Sequence, residues 1–308
     1  MGIVAREFGS LITAMVTGFD ADGELDLGAT VEVAKFLQAS GNTALVVTGT
    51  TGEASTLTDS EKIALWEAVS HNVTIPVLAG AGSNDTPHSV HMTKAATQVG
   101  VAGILAVAPY YNRPPQSGIL GHFEAVASAT TLPVIVYDIP VRTGRKVAPE
   151  TLYQLVARAP NVLALKDAAG NPAATAEICA QLGSKFDIYS GDDALTLPLL
   201  SIGASGVIGV ATHWASRFFA AMMDSFAQGE VSRATAINAA LFGSYNYETS
   251  ESAPNPIPTK VMMRQLGFAV GQCRLPLGAP REGLELEAAR VLAELKGAGE
   301  DLMIKADF

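Results

Sequence analysis

The 308-residue chain is poor in cysteine, in basic residues and in long apolar runs, and each shortage excludes a class of protein. Its two cysteines, Cys179 and Cys273, lie in no C-x-x-C pair and near no histidine at ligand spacing, so neither a disulfide framework nor a zinc site is predicted. Lysine and arginine number 20 against 30 acidic residues, without a basic run, which argues against nucleic acid as a partner.

No segment approaches the ~20 apolar residues that a membrane-spanning helix needs, and the first residues lack a signal-cleavage pattern. No G-x-G-x-x-G follows the first apolar run, so a dinucleotide-binding half is not supported. We therefore expect a cytoplasmic protein that contacts no membrane and uses neither a metal nor another cofactor. With 48% hydrophobic and 16% charged residues, the chain can bury a large core.

Eight short apolar runs, each bounded by turn residues, predict β-strands. They occupy residues 10–16, 43–49, 75–80, 103–109, 132–138, 161–167, 186–192 and 204–210. Most are continuously apolar, which is typical of parallel strands covered on both faces. Helical patterns separate them, including a capping box at Thr58 and Glu61 and a helix that begins at Asn171 and ends near Gly183.

This alternation of strand and helix, repeated at about 30-residue spacing, predicts an α/β protein with a closed (β/α)8 TIM barrel over residues 1–228. Residues 229–308 are predicted to form a C-terminal helical extension that packs on the barrel or makes oligomer contacts. Its helices are expected around 231–245, from about Pro258, and over 283–296.

Polar side chains follow several of the runs, at the end of a barrel where catalytic groups collect. In chain order these are Thr50 and Thr51, Tyr110 and Tyr111, Tyr137 and Arg142, and Lys166. An amine, phenols, paired hydroxyls and an arginine, without a metal-ligand set or a phosphate loop, indicate covalent amine catalysis on a keto acid. Taken singly, each motif also has a structural interpretation as turn chemistry, rim packing or surface charge.

Lys166 is the residue on which the two interpretations differ most. It directly follows an apolar run and precedes Asp167. A lysine at a strand end can bury its methylene stem and keep its charge in water, which would make it structural. It can also serve as a desolvated nucleophile, because burial lowers the pKa of an ammonium group.

Seven segments stand in the order seen in dihydrodipicolinate synthases: GTTGE (49–53), PYYNRP (109–114), YDIPVRTG (137–144), LKDAAGN (165–171), SGDD (190–193), GVIGV (206–210) and PNPIPTK (254–260). The sequence resembles that family over nearly its whole length; the family belongs to the pyruvate-dependent class I aldolases, which include N-acetylneuraminate lyase. The resemblance implies condensation of pyruvate with L-aspartate 4-semialdehyde to 4-hydroxy-tetrahydrodipicolinate, the entry step to diaminopimelate and lysine. It also implies a homotetramer without a cofactor.

The resemblance further implies a role for each matched residue. Lys166 would form the Schiff base with pyruvate, and Tyr137 would donate and accept protons. Thr50 would link Tyr137 to Tyr111, which in the family reaches the active site of a neighbouring subunit. The substrate-binding residues would be Thr51 for the pyruvate carboxylate, Arg142 for the semialdehyde carboxylate, and Gly191 and Ile208 for pocket backbone.

Three positions differ from family members that lysine inhibits. Asp59 and Lys62 stand where two histidines line the effector pocket, and His88 replaces a glutamate. Asn84 and Tyr110, which also match that pocket, remain. We expect L-lysine to inhibit weakly or not at all, because Asp59 reverses the charge of one partner and Lys62 adds an ammonium that repels the ligand's amines.

Two other functions fit parts of the pattern. A sibling aldolase, such as N-acetylneuraminate lyase or a 2-keto-3-deoxy sugar acid aldolase, would use the same imine on another aldehyde. Arg142 favours the synthase, because a polyhydroxylated aldehyde needs hydroxyl partners instead of a second carboxylate clamp. A silent barrel that senses keto acids is disfavoured by the joint presence of all four residues assigned to catalysis. Ala253, where the family has a glutamate before PNPIP, has no explanation in the sequence.

Overall fold

A closed parallel β-barrel forms the centre of the protein. The structure, a computed structural model, describes residues 3–306. The strands are β1 (Leu11–Ala14), β2 (Ala44–Val47), β3 (Val77–Gly80), β4 (Gly103–Val107), β5 (Val134–Asp138), β6 (Val162–Asp167), β7 (Asp187–Ser190) and β8 (Gly206–Gly209). Each pairs in parallel with the next, and β8 pairs with β1 to close the ring. The predicted (β/α)8 barrel is confirmed, although the strands are shorter than the apolar runs.

Helices alternate with the strands and then form the C-terminal extension. They are α1 (Ile3–Phe8), α2 (Leu27–Ala39), α3 (Asp59–Asn72), α4 (Thr86–Val99), α5 (Gln116–Ser128), α6 (Pro140–Thr143), α7 (Pro149–Arg158), α8 (Pro172–Leu182), α9 (Thr196–Leu200), α10 (Thr212–Ala227), α11 (Val231–Ala240), α12 (Phe242–Tyr247), α13 (Ile257–Gln265) and α14 (Leu284–Leu302). Short 3₁₀ turns at Gly183–Lys185 and Asp193–Leu195 lie on either side of β7.

Two helices begin at the caps that the sequence predicts. At the start of α3, Thr58 Oγ1 accepts the Glu61 N–H at 3.3 Å, and Glu61 Oε2 accepts the Thr58 N–H at 2.7 Å. At the start of α8, Asn171 Oδ1 accepts the Ala174 N–H at 3.1 Å, and Gly183 ends that helix. These side chains bond amide groups that the first turn of a helix leaves unpaired.

The extension departs from the prediction at one point. The stretch expected to be helical around 231–245 is helical, but it consists of two helices, α11 and α12, that meet at Leu241. Leu241 is fully buried, and the weak helix formers Gly243 and Ser244 follow it, so packing and propensity both favour a break here. The other two expected helices are α13 and α14, the latter longer than predicted. The boundary at residue 228 stays a prediction, and residues 307 and 308 lie outside the described residues.

Three apolar clusters hold the layers together. One fills the barrel interior and contains Ile12 and Ile208, and a second lies between the barrel and its surrounding helices. The third joins α10 to the extension; its Trp214 donates from Nε1 to Ser244 Oγ at 3.0 Å. Ala253 is buried in this third cluster, where a glutamate would lie among apolar side chains. Within residues 3–306 no helix is both long and apolar enough to cross a bilayer.

Candidate active site

Lys166 and Tyr137 lie side by side at the carboxyl ends of β6 and β5. The parallel register places them directly opposite each other. The lysine is 4% exposed, and its Nζ lies 4.4 Å from the centre of the Tyr137 ring. In the described part of the chain, no protein atom is hydrogen-bonded to Nζ. The apolar strand therefore carries an amine into the barrel mouth without giving it a directly bonded anion.

Burial changes the protonation of this amine. It lowers the pKa of Lys166 to about 8, while Asp193 and Glu248 act against the shift and Arg142 adds to it. A lysine in water has a pKa of about 10.4 and is almost fully protonated at neutral pH. A far larger share of Lys166 is neutral, and only a neutral amine can attack a carbonyl carbon.

Gly191, just after β7, leaves room for the lysine side chain. A Cβ at this position would lie 3.0 Å from both Cγ and Cε of Lys166, so any side chain would push the lysine aside. The Gly191 amide donates to the Asp167 carbonyl at 2.7 Å, which fixes the loop against β6. The glycine thus keeps the amine at the end of its strand.

Tyr137 is held in its neutral form. Burial raises its pKa to about 12, while Arg142 and a hydrogen bond with Thr50 act in the opposite direction. A buried phenol of this kind can donate a proton, and it needs a nearby hydroxyl to exchange protons efficiently. Thr50 supplies that hydroxyl.

Asn255 of the extension connects Thr51 to Arg142. Its Nδ2 donates to Thr51 Oγ1 at 3.0 Å, and its backbone carbonyl accepts from Arg142 Nη2 at 3.3 Å. Thr259 Oγ1 donates to Asn255 Oδ1 at 2.9 Å and fixes the orientation of the amide. The loops after β2 and β5 are therefore held together by a segment that follows the barrel in the chain.

One cavity of about 400 Å³ opens at this end of the barrel. Four of the predicted site residues line it, namely Thr50, Tyr111, Tyr137 and Arg142. The other four do not line it: Lys166, Thr51, Gly191 and Ile208. Of these, Ile208 is fully buried in the apolar cluster inside the barrel.

Tyr111 differs from the other aromatic residues of the site. It is 89% exposed, and its φ of 71° is a left-handed conformation that costs a non-glycine residue energy. Asn112 holds the turn, because its Nδ2 donates to the Asn84 carbonyl at 2.9 Å. Among residues 3–306 the Tyr111 hydroxyl has no hydrogen-bond partner, so a single chain does not form the predicted link to Thr50.

Two of the positions matched to an effector pocket belong to the same cavity. Lys62 and Tyr110 line it. His88 Nε2 lies 2.9 Å from Asp59 Oδ1, so the two substituted residues pair with each other between α4 and α3. Burial lowers the pKa of Lys62, and Asp59 acts against that shift. The cavity therefore presents an ammonium group, while the nearby carboxylate is already engaged.

Three sets of functional side chains were missed by sequence reasoning. Glu53 and Lys260 form a buried ion pair at 2.7 Å, Asn255 bridges two loops, and Asp193 lies against Glu248. The first three belong to the GTTGE and PNPIPTK motifs and Asp193 to SGDD, so the motifs were a usable signal. Glu248 belongs to no motif. Within residues 3–306 no group of His, Cys, Asp or Glu is arranged to hold a metal ion.

A parallel barrel with a desolvated lysine beside a tyrosine at its mouth has the arrangement of a lyase that works through a lysine imine. The sequence profile of the Dihydrodipicolinate synthetase family matches residues 7–295. The chain belongs to this family, as the resemblance predicted, and is an enzyme of the lyase type.

Known relatives agree over nearly the whole chain. A 4-hydroxy-tetrahydrodipicolinate synthase of Bacillus subtilis (strain 168) is 42% identical over 290 residues, which are 94% of this chain and 99% of the relative. One of Moorella thermoacetica is 43% identical over 296 residues, 95% of this chain and 99% of the relative. The crystal structure of dihydrodipicolinate synthase from Cyanidioschyzon merolae with lysine bound has a TM-score of 0.91 and 40% identity, covering 94% of this chain and 98% of that one.

Proposed function

We propose that the enzyme condenses pyruvate with L-aspartate 4-semialdehyde to 4-hydroxy-tetrahydrodipicolinate, the first committed step toward diaminopimelate and lysine. Relatives of B. subtilis and M. thermoacetica carry the name of this activity. The observation that carries the proposal is the buried Lys166 amine against Tyr137, at a mouth where Thr50 and Arg142 line one cavity. A cytoplasmic location stays a prediction.

In the first half of the reaction, neutral Lys166 attacks the C2 carbonyl of pyruvate. Tyr137 donates the proton that lets the hydroxyl leave as water, which yields the cationic imine. Thr51 is assigned to the pyruvate carboxylate, and Gly191 and Ile208 are assigned to the pocket backbone on the family pattern, although in the single chain neither lines the cavity. Tyr137, now a phenolate hydrogen-bonded to Thr50, takes up a methyl proton, which restores the phenol and converts the imine to a nucleophilic enamine.

In the second half, Arg142 binds the carboxylate of the semialdehyde, for which a planar guanidinium is well suited. The enamine carbon attacks the aldehyde carbon and forms the new carbon–carbon bond, the Tyr137 phenol protonates the resulting alkoxide to a hydroxyl, and the cationic imine is restored. The amino group of the semialdehyde then attacks the imine carbon and closes the ring; one of its protons passes to the leaving Lys166 nitrogen and the other restores the Tyr137 phenol, so that Lys166 departs as a neutral amine. The amine returns to its starting state.

Reductive trapping tests this chemistry directly. Borohydride added with pyruvate should reduce the imine and attach a pyruvate-derived mass to the peptide that contains Lys166. The companion assay follows product from pyruvate plus the semialdehyde. An adduct on another lysine, or the absence of any adduct, would contradict the proposed mechanism.

The sibling aldolases are the alternative function to test, because they would use the same lysine imine and differ only in the aldehyde substrate. Cleavage of sialic acid, assayed beside the condensation, separates them. We expect turnover with the semialdehyde only, since Arg142 offers a cation to a second carboxylate and few hydroxyl partners. Trapping at Lys166 together with sialic acid cleavage would assign the sibling activity.

We further propose that the enzyme is a homotetramer, a dimer of dimers, in which Tyr111 completes the active site of a neighbouring subunit. An aromatic side chain that is 89% exposed and held in a left-handed turn supports this assignment. A solved structure with a TM-score of 0.90 and 32% identity is described as the first monomeric dihydrodipicolinate synthase variant.

Mixed oligomers test whether Tyr111 acts across subunits. The variants Tyr111→Phe and Lys166→Arg should each be nearly inactive alone. Co-expressed, they form hybrids in which one site combines an intact lysine from one chain with an intact tyrosine from the other. Activity should then return to a fraction of the wild-type value, whereas hybrids without activity would place Tyr111 in its own subunit's site.

A further inference from the structure

Asp193, in the 3₁₀ turn after β7, is a buried carboxylate fixed by the end of β8. It is 1% exposed, and its Oδ2 accepts the N–H groups of Val210 at 2.9 Å and Ala211 at 2.6 Å. A Cβ on Gly209 would lie 2.6 Å from Oδ1, so only glycine leaves room for this carboxylate. The backbone after β8 is thus built around Asp193.

Glu248 of the extension lies against this carboxylate, and the two side chains are hydrogen-bonded to each other. Two ionised carboxylates are acceptors only, so the bond requires a proton on one of them. Burial and the adjacent Asp193 raise the pKa of Glu248 well above its ordinary value. Burial also raises the pKa of Asp193, whereas the bond from Glu248, the two amides and Lys166 act against that shift. Because Asp193 already accepts two backbone N–H groups, which favour its ionised form, the proton of the pair lies on Glu248.

The pair lies close enough to Lys166 to affect its charge. Asp193 and Glu248 both favour the protonated lysine. Burial keeps the neighbouring phenols neutral by raising their pKa, and Arg142 contributes a positive charge. The titratable and charged groups that face the pair and the lysine are Arg142, Tyr137, Asp192 and Tyr245.

We propose that Asp193 and Glu248 act as a positioning pair, a carboxylate and a carboxylic acid that share one proton and present a single buried negative charge to Lys166 and to the cationic imine formed on it. The inference rests on the imine chemistry of the proposed function. One shared charge matches one cation, whereas two ionised carboxylates would repel each other and cost more desolvation. Because Glu248 comes from the extension, the extension controls the charge beside the nucleophile.

The proposal makes a prediction that depends on pH. Below the pKa of Lys166, the ammonium and the imine carry the same charge, so the pair stabilises both equally. Above that pKa, the imine forms from a neutral amine by taking up a proton, and only the imine benefits from the pair. Removing the negative charge should therefore weaken pyruvate binding as imine at high pH and leave it almost unchanged at low pH.

The experiment uses cyanoborohydride trapping of pyruvate on full-length enzyme, with the adduct on the Lys166 peptide quantified by mass spectrometry. The double variant Asp193→Asn/Glu248→Gln removes the charge and keeps similar shapes. At about pH 9, the pyruvate concentration that gives half-maximal trapping should be roughly tenfold or more higher for the double variant than for the wild type. This ratio corresponds to a change of about one unit in the pKa of Lys166. At about pH 6 the change should stay within about threefold.

Two single variants separate charge from structure. Glu248→Gln keeps a donor to Asp193 and the negative charge, so its trapping profile should follow that of the wild type across pH. Glu251→Gln, on an exposed residue of the same loop, controls for handling. Equal loss at both pH values, or equal loss in Glu248→Gln and the double variant, would overturn the proposal. Wild-type enzyme that traps no pyruvate at Lys166 would instead refute the proposed function.

A spectroscopic measurement covers the case in which the double variant fails to fold. Infrared spectroscopy of the wild type at neutral pH should contain the carbonyl stretch of a buried protonated carboxylic acid, and Glu248→Gln should lose that band. Its absence from the wild type would overturn the shared proton without any mutation.

Discussion

Two buried lysines in this protein have opposite surroundings. Lys166 is 4% exposed and has a tyrosine ring 4.4 Å from Nζ but no hydrogen-bonded anion in the described part of the chain. Lys260 is 1% exposed, lies 2.7 Å from Glu53 Oε1, donates to the Gln272 carbonyl at 3.0 Å, and sits 4.0 Å from the centre of the Phe19 ring.

The difference shows that burial alone does not make a lysine reactive. Burial lowers the pKa of both residues. A carboxylate in direct contact holds the proton on Lys260 and consumes its donors, so its role is to join the extension to the loop after β2. Lys166 lacks such contact, so no bonded carboxylate holds a proton on its amine.

The largest expected effect comes from replacing the unpaired lysine. Lys166→Arg keeps a cation but cannot form an imine, so kcat should fall at least about a thousandfold while the fold persists. Steady-state assays and circular dichroism provide the two readouts. The matched variant Lys260→Arg should still be trapped by pyruvate at Lys166; an adduct on Lys260 in the Lys166→Arg protein would contradict the assignment.

Breaking the paired lysine should damage stability instead. Lys260→Met leaves Glu53 buried without its counter-ion and should lower the free energy of unfolding by about 3–5 kcal/mol. Urea denaturation measures the loss. The double variant Glu53→Gln/Lys260→Met should recover most of it, because no buried charge remains; a double variant as unstable as the single one would show that packing, not charge, is responsible.

Arg142, the cation that borders the cavity near Lys166, should affect the second substrate. Arg142→Ala should reduce kcat/KM for the semialdehyde. The reduction should correspond to a loss of about 1.5–3 kcal/mol of transition-state stabilisation, the value of a charge-assisted hydrogen bond. Formation of the pyruvate imine should change much less. Single-turnover trapping and steady-state kinetics separate the two steps, and equal damage to both would mean that Arg142 is structural through its bond to Asn255.

The pH dependence of imine formation should report the pKa of Lys166. Because the neutral amine is the nucleophile, the rate should be low at acidic pH, rise with pH and level off above about 8. Rapid-quench trapping with saturating pyruvate measures this curve. A midpoint near the pKa of a lysine in water, about 10.4, would show that burial does not activate the residue.

The smallest effect concerns a third lysine, the partly buried Lys62. L-lysine titrated into the millimolar range should leave the condensation rate within about twofold, because Lys62 repels its amines and Asp59 is already paired with His88. Strong partial inhibition would show that Asn84 and Tyr110 suffice for binding. Lys62→Ala provides the sharper comparison, since it should increase any lysine sensitivity.

The barrel was predictable because each of its signals is local. Continuous apolar runs specify strands covered on both faces, and caps such as Thr58 with Glu61 mark where helices begin. The break at Leu241 was not, because it depends on packing of that residue against helices elsewhere in the chain. The weak helix formers Gly243 and Ser244 favour a break in this stretch but do not place it at Leu241.

In the candidate site, too, the features set by local sequence signals were predictable and those set by contacts between distant residues were not. Lys166 and Tyr137 could be placed together, since both end neighbouring parallel strands. The contact of Asn255 with Thr51 joins residues 204 positions apart, and no sequence period encodes it. Glu248 shows the limit most clearly, because nothing in its own segment indicates a buried carboxylate that meets Asp193.

The contacts of Asn255 also bear on how the protein is synthesised. Ribosomes release the barrel before the segment that ties Arg142 to the Thr51 loop, and before Lys260 reaches Glu53. A nascent chain that has just emerged through residue 228 therefore holds its nucleophile in an incomplete pocket. Enzyme truncated there would keep Lys166 and Tyr137 but lose the residues that fix its substrate clamps, so we expect full activity only after the last quarter of the chain has been synthesised.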